Sequence, residues 1–412
     1  MSKKVFLITK LKTTNIGNEA LSSEIMNLFS GAASDITLNV NGRPFGLDGY
    51  YPKRIIHAAD PVAVLERWAN TVAKQIGKED DVAFKANKPA VALLKADSTD
   101  FKNEGWKARL RPFKRWLVSF LPYAGQYKKR AAQLKQADWL IYSGAGEVGD
   151  NIVFLRQLVE IRAAQILGKK TAAVNQSVVI KTAVFQKLVG HVYGKMNKVV
   201  IRGEITRKNL VAYGVPEQVI EVAPDSAINA PADVVPPMER NSGLVAINIT
   251  PRVSMTVEQM GSLVSLLQSK GKKLAFVTNE PYEDGKMAKI FAANFNIPQL
   301  GPFASYQEYI KKLSECEFVI SARLHTNMLS LVSHTPIIPI EGNVFKTTEL
   351  LRQLQYPILT LDSSQANWTD RLMSETEKML AKGFDFNHYF NTVFPAYKKA
   401  VQRNAAWINE EA

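Results

Sequence analysis

Apolar and polar positions along this chain fall into two alternating patterns. Short apolar runs recur, and between them lie longer stretches whose apolar residues are three or four apart, the spacing of one helix face. Val5 to Thr9 reads as a buried strand, Asn15 to Glu19 as a turn, and Ala20 to Phe29 as a helix carried by Leu21, Ile25 and Leu28. Ile36 to Val40 is a second strand, and Pro61 to Ile76 a helix with proline in its first turn. Strands follow at Trp139–Tyr142, Thr171–Val174, Val199–Ile201 and Val219–Val222, with helices at Val153–Leu167 and Glu204–Tyr213.

Pro231, Pro236 and Pro237 then interrupt the pattern, so residues 230–242 read as a linker. The alternation restarts with strands at Leu244–Ile249 and Leu274–Val277 and helices at Thr256–Ser269 and Asp284–Asn294. Ser305 and Glu308 form a capping box before a further helix. Phe318–Ile320 and Pro336–Ile340 are strands on either side of a helical stretch, Thr326 to Ser333, and Arg371 to Asn409 is mostly helical by pattern. Two successive strand–helix arrays predict an α/β fold of two Rossmann-like domains facing a cleft. The expected division is 1–229, linker 230–242, 243–370, and C-terminal helices over 371–412.

Length agrees, since 412 residues exceed the size at which a single core stops growing. The lone Cys316 excludes an internal disulfide and a cysteine-type zinc site, and reads as a small core residue. The apolar run near Met1 is too short for a signal peptide, and no stretch approaches the ~18 apolar residues of a spanning helix. A soluble cytoplasmic protein is the expectation. The net charge of +14 points to an anionic ligand or surface.

That charge is concentrated. Residues 101–130 carry nine basic residues (Lys102, Lys107, Arg109, Arg111, Lys114, Arg115, Lys128, Lys129 and Arg130) against the single acid Glu104. Phe113, Trp116, Leu117 and Phe120 share one helical face. The pattern fits an interfacial helix at an anionic membrane, or a solvated basic face whose aromatics pack inward. Nucleic-acid binding ranks below both.

The candidate chemistry lies at strand ends, where an α/β sheet presents it. Ser321-Ala322-Arg323-Leu324-His325 follows an apolar strand, and Lys346 follows the next. His325 is one of only five histidines; it suits acid–base work, or a hydrogen bond to a loop carbonyl. His334, at a helix end, reads as structural. Arg202 ends a strand and suits a phosphate or carboxylate, or a salt bridge to Glu204 or a neighbouring acid. The turn Asn15-Ile16-Gly17-Asn18 offers amides to an anion or sugar, or Asn18 as an ordinary helix cap. Gly144 and Gly146 permit close approach of a ligand, or serve an ordinary strand-to-helix turn. Gln176 closes another strand, where its amide meets a ligand or satisfies loop backbone.

In this order the motifs resemble those of the polysaccharide pyruvyl transferase family, which is similar in fold to two-domain GT-B glycosyltransferases. The resemblance rests on Asn15-Ile16-Gly17-Asn18, Gly144-Ala145-Gly146, Gln176-Ser177, Arg202-Gly203-Glu204, Tyr213-Gly214-Val215, Pro224-Asp225, Arg323-Leu324-His325 and Lys346, across residues 5 to 355. It implies transfer of a pyruvyl group from phosphoenolpyruvate to a sugar, commonly as a cyclic ketal, with no cofactor and no metal. Arg202, His325 and Lys346 would hold the donor, and His325 would also transfer a proton. Asp225 and Asp284 are candidates for activating the acceptor hydroxyl, and the acceptor is expected on a bacterial surface polysaccharide or its lipid-linked precursor. Two departures fall on the acceptor side: Asn18 stands where the family has Asp, and Gly203 follows Arg202 where the family has Asp. The alternatives are a GT-B glycosyltransferase using a nucleotide sugar, and a non-catalytic membrane- or polyanion-binding protein on the same fold.

Overall fold

The computed structural model describes residues 3–10, 13–32, 35–40, 55–77, 129–144, 148–232, 243–342 and 345–410. Gly146, most of the 230–242 linker, and all of the basic aromatic segment except Lys129 and Arg130 lie outside them.

The first sheet is built from β1 (Lys4–Thr9), β2 (Asp35–Val40), β3 (Trp139–Ser143), β4 (Lys170–Gln176), β5 (Lys198–Ile201) and β6 (Ile220–Val222). All pairs are parallel and the order is β2-β1-β3-β4-β5-β6. Helices α1 (Ile16–Ala32), α2 (Pro61–Gly77), α3 (Ile152–Ile166), α4 (Ala183–Tyr193) and α5 (Glu204–Ala212) connect or flank these strands. The strands are continuous apolar runs because both faces are covered: β1 buries Val5, Phe6, Leu7 and Ile8 in succession.

The second sheet repeats the plan with β7 (Leu244–Asn248), β8 (Lys273–Val277), β9 (Gln299–Leu300), β10 (Phe318–Ser321), β11 (Ile337–Glu341) and β12 (Leu361–Asp362). Its order, β12-β11-β10-β7-β8-β9, is the doubly wound order with β7 and β10 at the centre. Its helices are α6 (Val257–Ser269), α7 (Asp284–Phe295), α8 (Tyr306–Ser314), α9 (Leu324–Val332) and α10 (Lys346–Gln353). Beyond them come α11 (Trp368–Leu380) and a run of short helical turns ending at Asn409. The two parallel sheets and the helical C-terminus match the expected architecture. Among the described residues no helix is long and apolar enough to cross a membrane.

The chain's last turns return to the first sheet. Trp407 packs edge-on to Trp139 at 5.0 Å and to Phe29 at 6.0 Å, and Asn404 donates to the Pro224 carbonyl at 2.9 Å. His334 stacks on Phe390 at 4.6 Å, a structural role.

One element begins earlier than its sequence pattern predicts. Helix α1 starts at Ile16 rather than Ala20, and its cap is Asn15, not Asn18: the Asn15 Oδ1 accepts the Asn18 amide at 3.0 Å. The amides of Ile16 and Gly17 find acceptors in Asn279 of the second half, its carbonyl at 3.1 Å and its Oδ1 at 2.9 Å. A turn-like sequence becomes helix because both of its unpaired amides are satisfied across the cleft.

Candidate functional site across the cleft

In each sheet the strand order reverses at one point, β1/β3 in the first and β7/β10 in the second, and ligands bind outside the strand ends at such points. Arg323 and His325 lie immediately beyond β10, and Arg252 beyond β7. Arg202 ends β5, and Lys346 opens α10 after β11.

His325 sits in the first turn of α9, which Arg323 starts in extended conformation after the Ser321 hydroxyl accepts its amide at 3.1 Å. The imidazole reaches the first half. Its Nε2 is 3.7 Å from Asp225 Oδ2, a charge-pairing distance beyond hydrogen-bond reach, and is buried with no hydrogen-bond partner among the described residues. Gly17 lies directly against its ring: a Cβ there would stand 2.3 Å from His325 Cβ and Nδ1. The glycine serves close approach here, so the motif at the start of α1 and the Arg-Leu-His motif are one contact.

Arg202 is buried and pairs not with Glu204 but with Asp225, Nη1 to Oδ2 at 2.5 Å; its Nε donates to Ser177 at 3.1 Å. Glu204 instead faces Arg207. Burial pushes the Asp225 carboxyl up, but the charge of Arg202 and the nearby His325 outweigh it and hold the group well below the usual carboxylate range. With Oδ1 accepting the Ala227 amide at 2.9 Å, Asp225 is a fixed anion between Arg202 and His325. A carboxylate held so firmly ionised is a weak base and a good orienter.

Arg323 and Asp284 form a second pair. Arg323 Nε and Nη2 donate to Asp284 Oδ1 at 2.8 and 2.6 Å, and Nη2 also to Glu283 at 2.6 Å. Asp284 is fully buried, and its other oxygen accepts the amides of Asn279 and Glu280 and the Asn248 side chain, each at 3.2 Å. The pair therefore fixes the loop whose Asn279 holds the start of α1.

Lys346 differs from these saturated groups. It is half-buried, yet no hydrogen bond or ion pair holds its ammonium among the described residues. Burial pushes it down to about 8; the charges of Arg202 and Arg252 push the same way, while Glu341 and Glu349 oppose them. Two arginines, Arg202 and Arg252, thus act on Lys346 at the cleft. Arg252 was missed in the sequence; its one signal is its place in the loop after a strand, Thr250-Pro251-Arg252.

Of the remaining sequence candidates, the Asn18 side chain is half-buried beside this contact and makes no hydrogen bond among the described residues. Gln176 is committed internally, donating to the Tyr142 carbonyl at 3.1 Å and accepting from Tyr193 at 2.7 Å. Gly144 is closed in by the Tyr142 ring, whose hydroxyl would stand 2.9 Å from a Cβ.

Comparison with solved structures places the fold. The chain is similar to a putative UDP-N-acetylglucosamine 2-epimerase from Listeria monocytogenes (12% identity, 100% of this chain and 94% of that one, TM-score 0.51). It is also similar to Arabidopsis thaliana UGT89C1 complexed with UDP-L-rhamnose (10% identity, 100% and 99%, TM-score 0.52). A third likeness is to S. aureus MnaA with UDP (10% identity, 99% and 94%, TM-score 0.51). At these identities the likeness concerns the fold alone, that of GT-B epimerases and glycosyltransferases. No curated protein matches in sequence. The family model for polysaccharide pyruvyl transferases matches residues 83–343, a span that takes in Arg202, Asp225, Arg252, Asp284 and the Arg323-Leu324-His325 run, and with well over half the chain covered the protein belongs to that family.

Proposed function

We propose that the cleft binds phosphoenolpyruvate and transfers its pyruvyl group to hydroxyls of a polysaccharide sugar or its lipid-linked precursor. The observation that carries this reading is the half-buried Lys346 ammonium, without a partner among the described residues, with Arg202 and Arg252 acting on it. Arg202 is already paired with Asp225, so it is the Lys346 ammonium that lacks a direct anionic partner among the described residues, and a small donor bearing both phosphate and carboxylate supplies one. His325 protonates the methylene carbon, which makes the central carbon electrophilic toward an acceptor hydroxyl. Attack by a second hydroxyl expels phosphate and completes the ketal, with each hydroxyl giving up its proton. Asp225 orients His325 and balances its charge, Asp284 and Arg323 position the loop under α1, and Asn18 hydrogen-bonds the acceptor.

Thermal-shift titration tests the donor. Phosphoenolpyruvate is expected to raise the midpoint and UDP-sugars to leave it unchanged; the reverse would favour a nucleotide-sugar glycosyltransferase. Lys346→Gln is expected to raise KM for phosphoenolpyruvate about 10- to 100-fold, the worth of a charge-assisted contact. The pH dependence has a definite sign. An anion binds the protonated Lys346, so kcat/KM for the donor falls as pH rises through about 8. The bound anion stabilises the ammonium, so kcat holds to higher pH. A kcat/KM that stays flat from about pH 7 to 9.5 would remove Lys346 from the donor site.

The basic aromatic segment supports a membrane-held acceptor. Replacing Arg109, Arg111, Lys114 and Arg115 with Gln is expected to abolish sedimentation with anionic vesicles while leaving soluble-acceptor turnover intact. Unchanged vesicle binding would sink the idea.

A further inference from the structure

Helix α5 starts two residues after Arg202, and the cap position between them is Gly203, which has no side chain to accept the helix's unpaired amides. The acceptor comes from the other half of the molecule. Glu349 on α10 takes the Thr206 amide on Oε1 at 2.9 Å and the Thr206 hydroxyl on Oε2 at 3.2 Å. A Cβ on residue 203 would stand 2.3 Å from Glu349 Cγ and 2.5 Å from its Cδ. Gly203 has φ 175° and ψ 175°, extended backbone open to any residue. With the Glu349 carboxylate in this position there is no room for a Cβ at 203, so a side chain there and the Glu349 cap exclude each other.

We infer that Glu349 is a positioning residue that caps α5 from across the cleft, so that the turn carrying Arg202 is set only when the two halves are closed. It lies three positions beyond Lys346, so α10 presents both on one side. Lys346 meets the anion and Glu349 holds the strand end that supplies Arg202. The acid that caps α5 therefore comes from the opposite wall. Glu349 is buried and spent on Thr206, which gives it an anchoring role and no contact with a reacting atom.

This inference rests on the donor reading for its kinetic arm only. The test compares Glu349→Ala, Gly203→Asp and the double variant by melting temperature and by kcat and KM for phosphoenolpyruvate. Glu349→Ala is expected to lower the melting temperature and raise KM about 10-fold, with a smaller change in kcat. Gly203→Asp alone, facing Glu349, is expected to be worse on both counts. The double variant is expected to recover the melting temperature, because the carboxylate introduced at position 203 then caps α5 from its own cap position. Its KM stays raised, because the link across the cleft is gone. The inference is overturned if Gly203→Asp alone is as stable as the parent, if the double variant is no more stable than either single, or if its KM returns to the parent value. Should the parent show no turnover of phosphoenolpyruvate, the donor reading fails, and the melting temperatures still decide the cap.

Discussion

His325→Ala is expected to lower kcat about 10³-fold, within the range for removing a positioned acid–base group. Two other imidazoles are already engaged and cannot stand in for it: His191 pairs with Glu66, and His334 stacks on Phe390. Lys346, Arg202 and Arg252 stay in place, so the donor still binds and KM moves much less than kcat. This split separates loss of a proton-transfer step from loss of an anion contact. His325→Gln keeps the bulk against Gly17 and is expected to be as inactive as the alanine variant, with its melting temperature closer to the parent. Phosphate release that depends on acceptor and survives either substitution at a rate close to the parent's would refute the role of His325.

Much of this arrangement is legible in the sequence, and what escapes has a common cause. The buried strand Phe318-Val319-Ile320 and the helix after it announce themselves by period, which places Arg323 and His325 at a strand end without any structure. That Arg323 turns to Asp284 is not legible. The two are 39 residues apart and meet only because β10 and β8 flank β7 in the doubly wound order. The start of α1 escapes for a related reason. Glycine and asparagine have poor helix propensity, and the amides of Ile16 and Gly17 are satisfied by Asn279 on the other half. Arg252 lies in an aperiodic loop, and Glu349 reads as one more polar residue on an amphipathic helix. Residues whose place is set within one element were readable. Those whose contacts are set across the cleft were not, apart from the ones tied to a motif.

The contact between α1 and α9 makes the second prediction. Gly17→Ala adds one methyl group in a helix, a change that favours helix formation when nothing lies nearby. Here the new Cβ would fall 2.3 Å from the Cβ and Nδ1 of His325 and 2.4 Å from its Cγ, well inside van der Waals contact. Cβ and Cγ are the root of the imidazole, so turning the ring about the bond between them cannot clear them. Either α1 retreats, which strains the Gly17 bond to Asn279, or α9 retreats and carries His325 from Asp225. Overpacking of this kind costs about 1–3 kcal/mol, and a displacement near ~1 Å at the reacting groups costs about 10²-fold in rate. Gly17→Ala is therefore expected to lower the melting temperature by several degrees and kcat by about 10²-fold, although residue 17 carries no reactive group. Chemical-shift perturbation at His325 alongside kinetics reads the cause. An alanine variant with parental kcat and an unmoved imidazole resonance would show that the two halves work farther apart than they stand here, and would separate α1 from the catalytic arrangement.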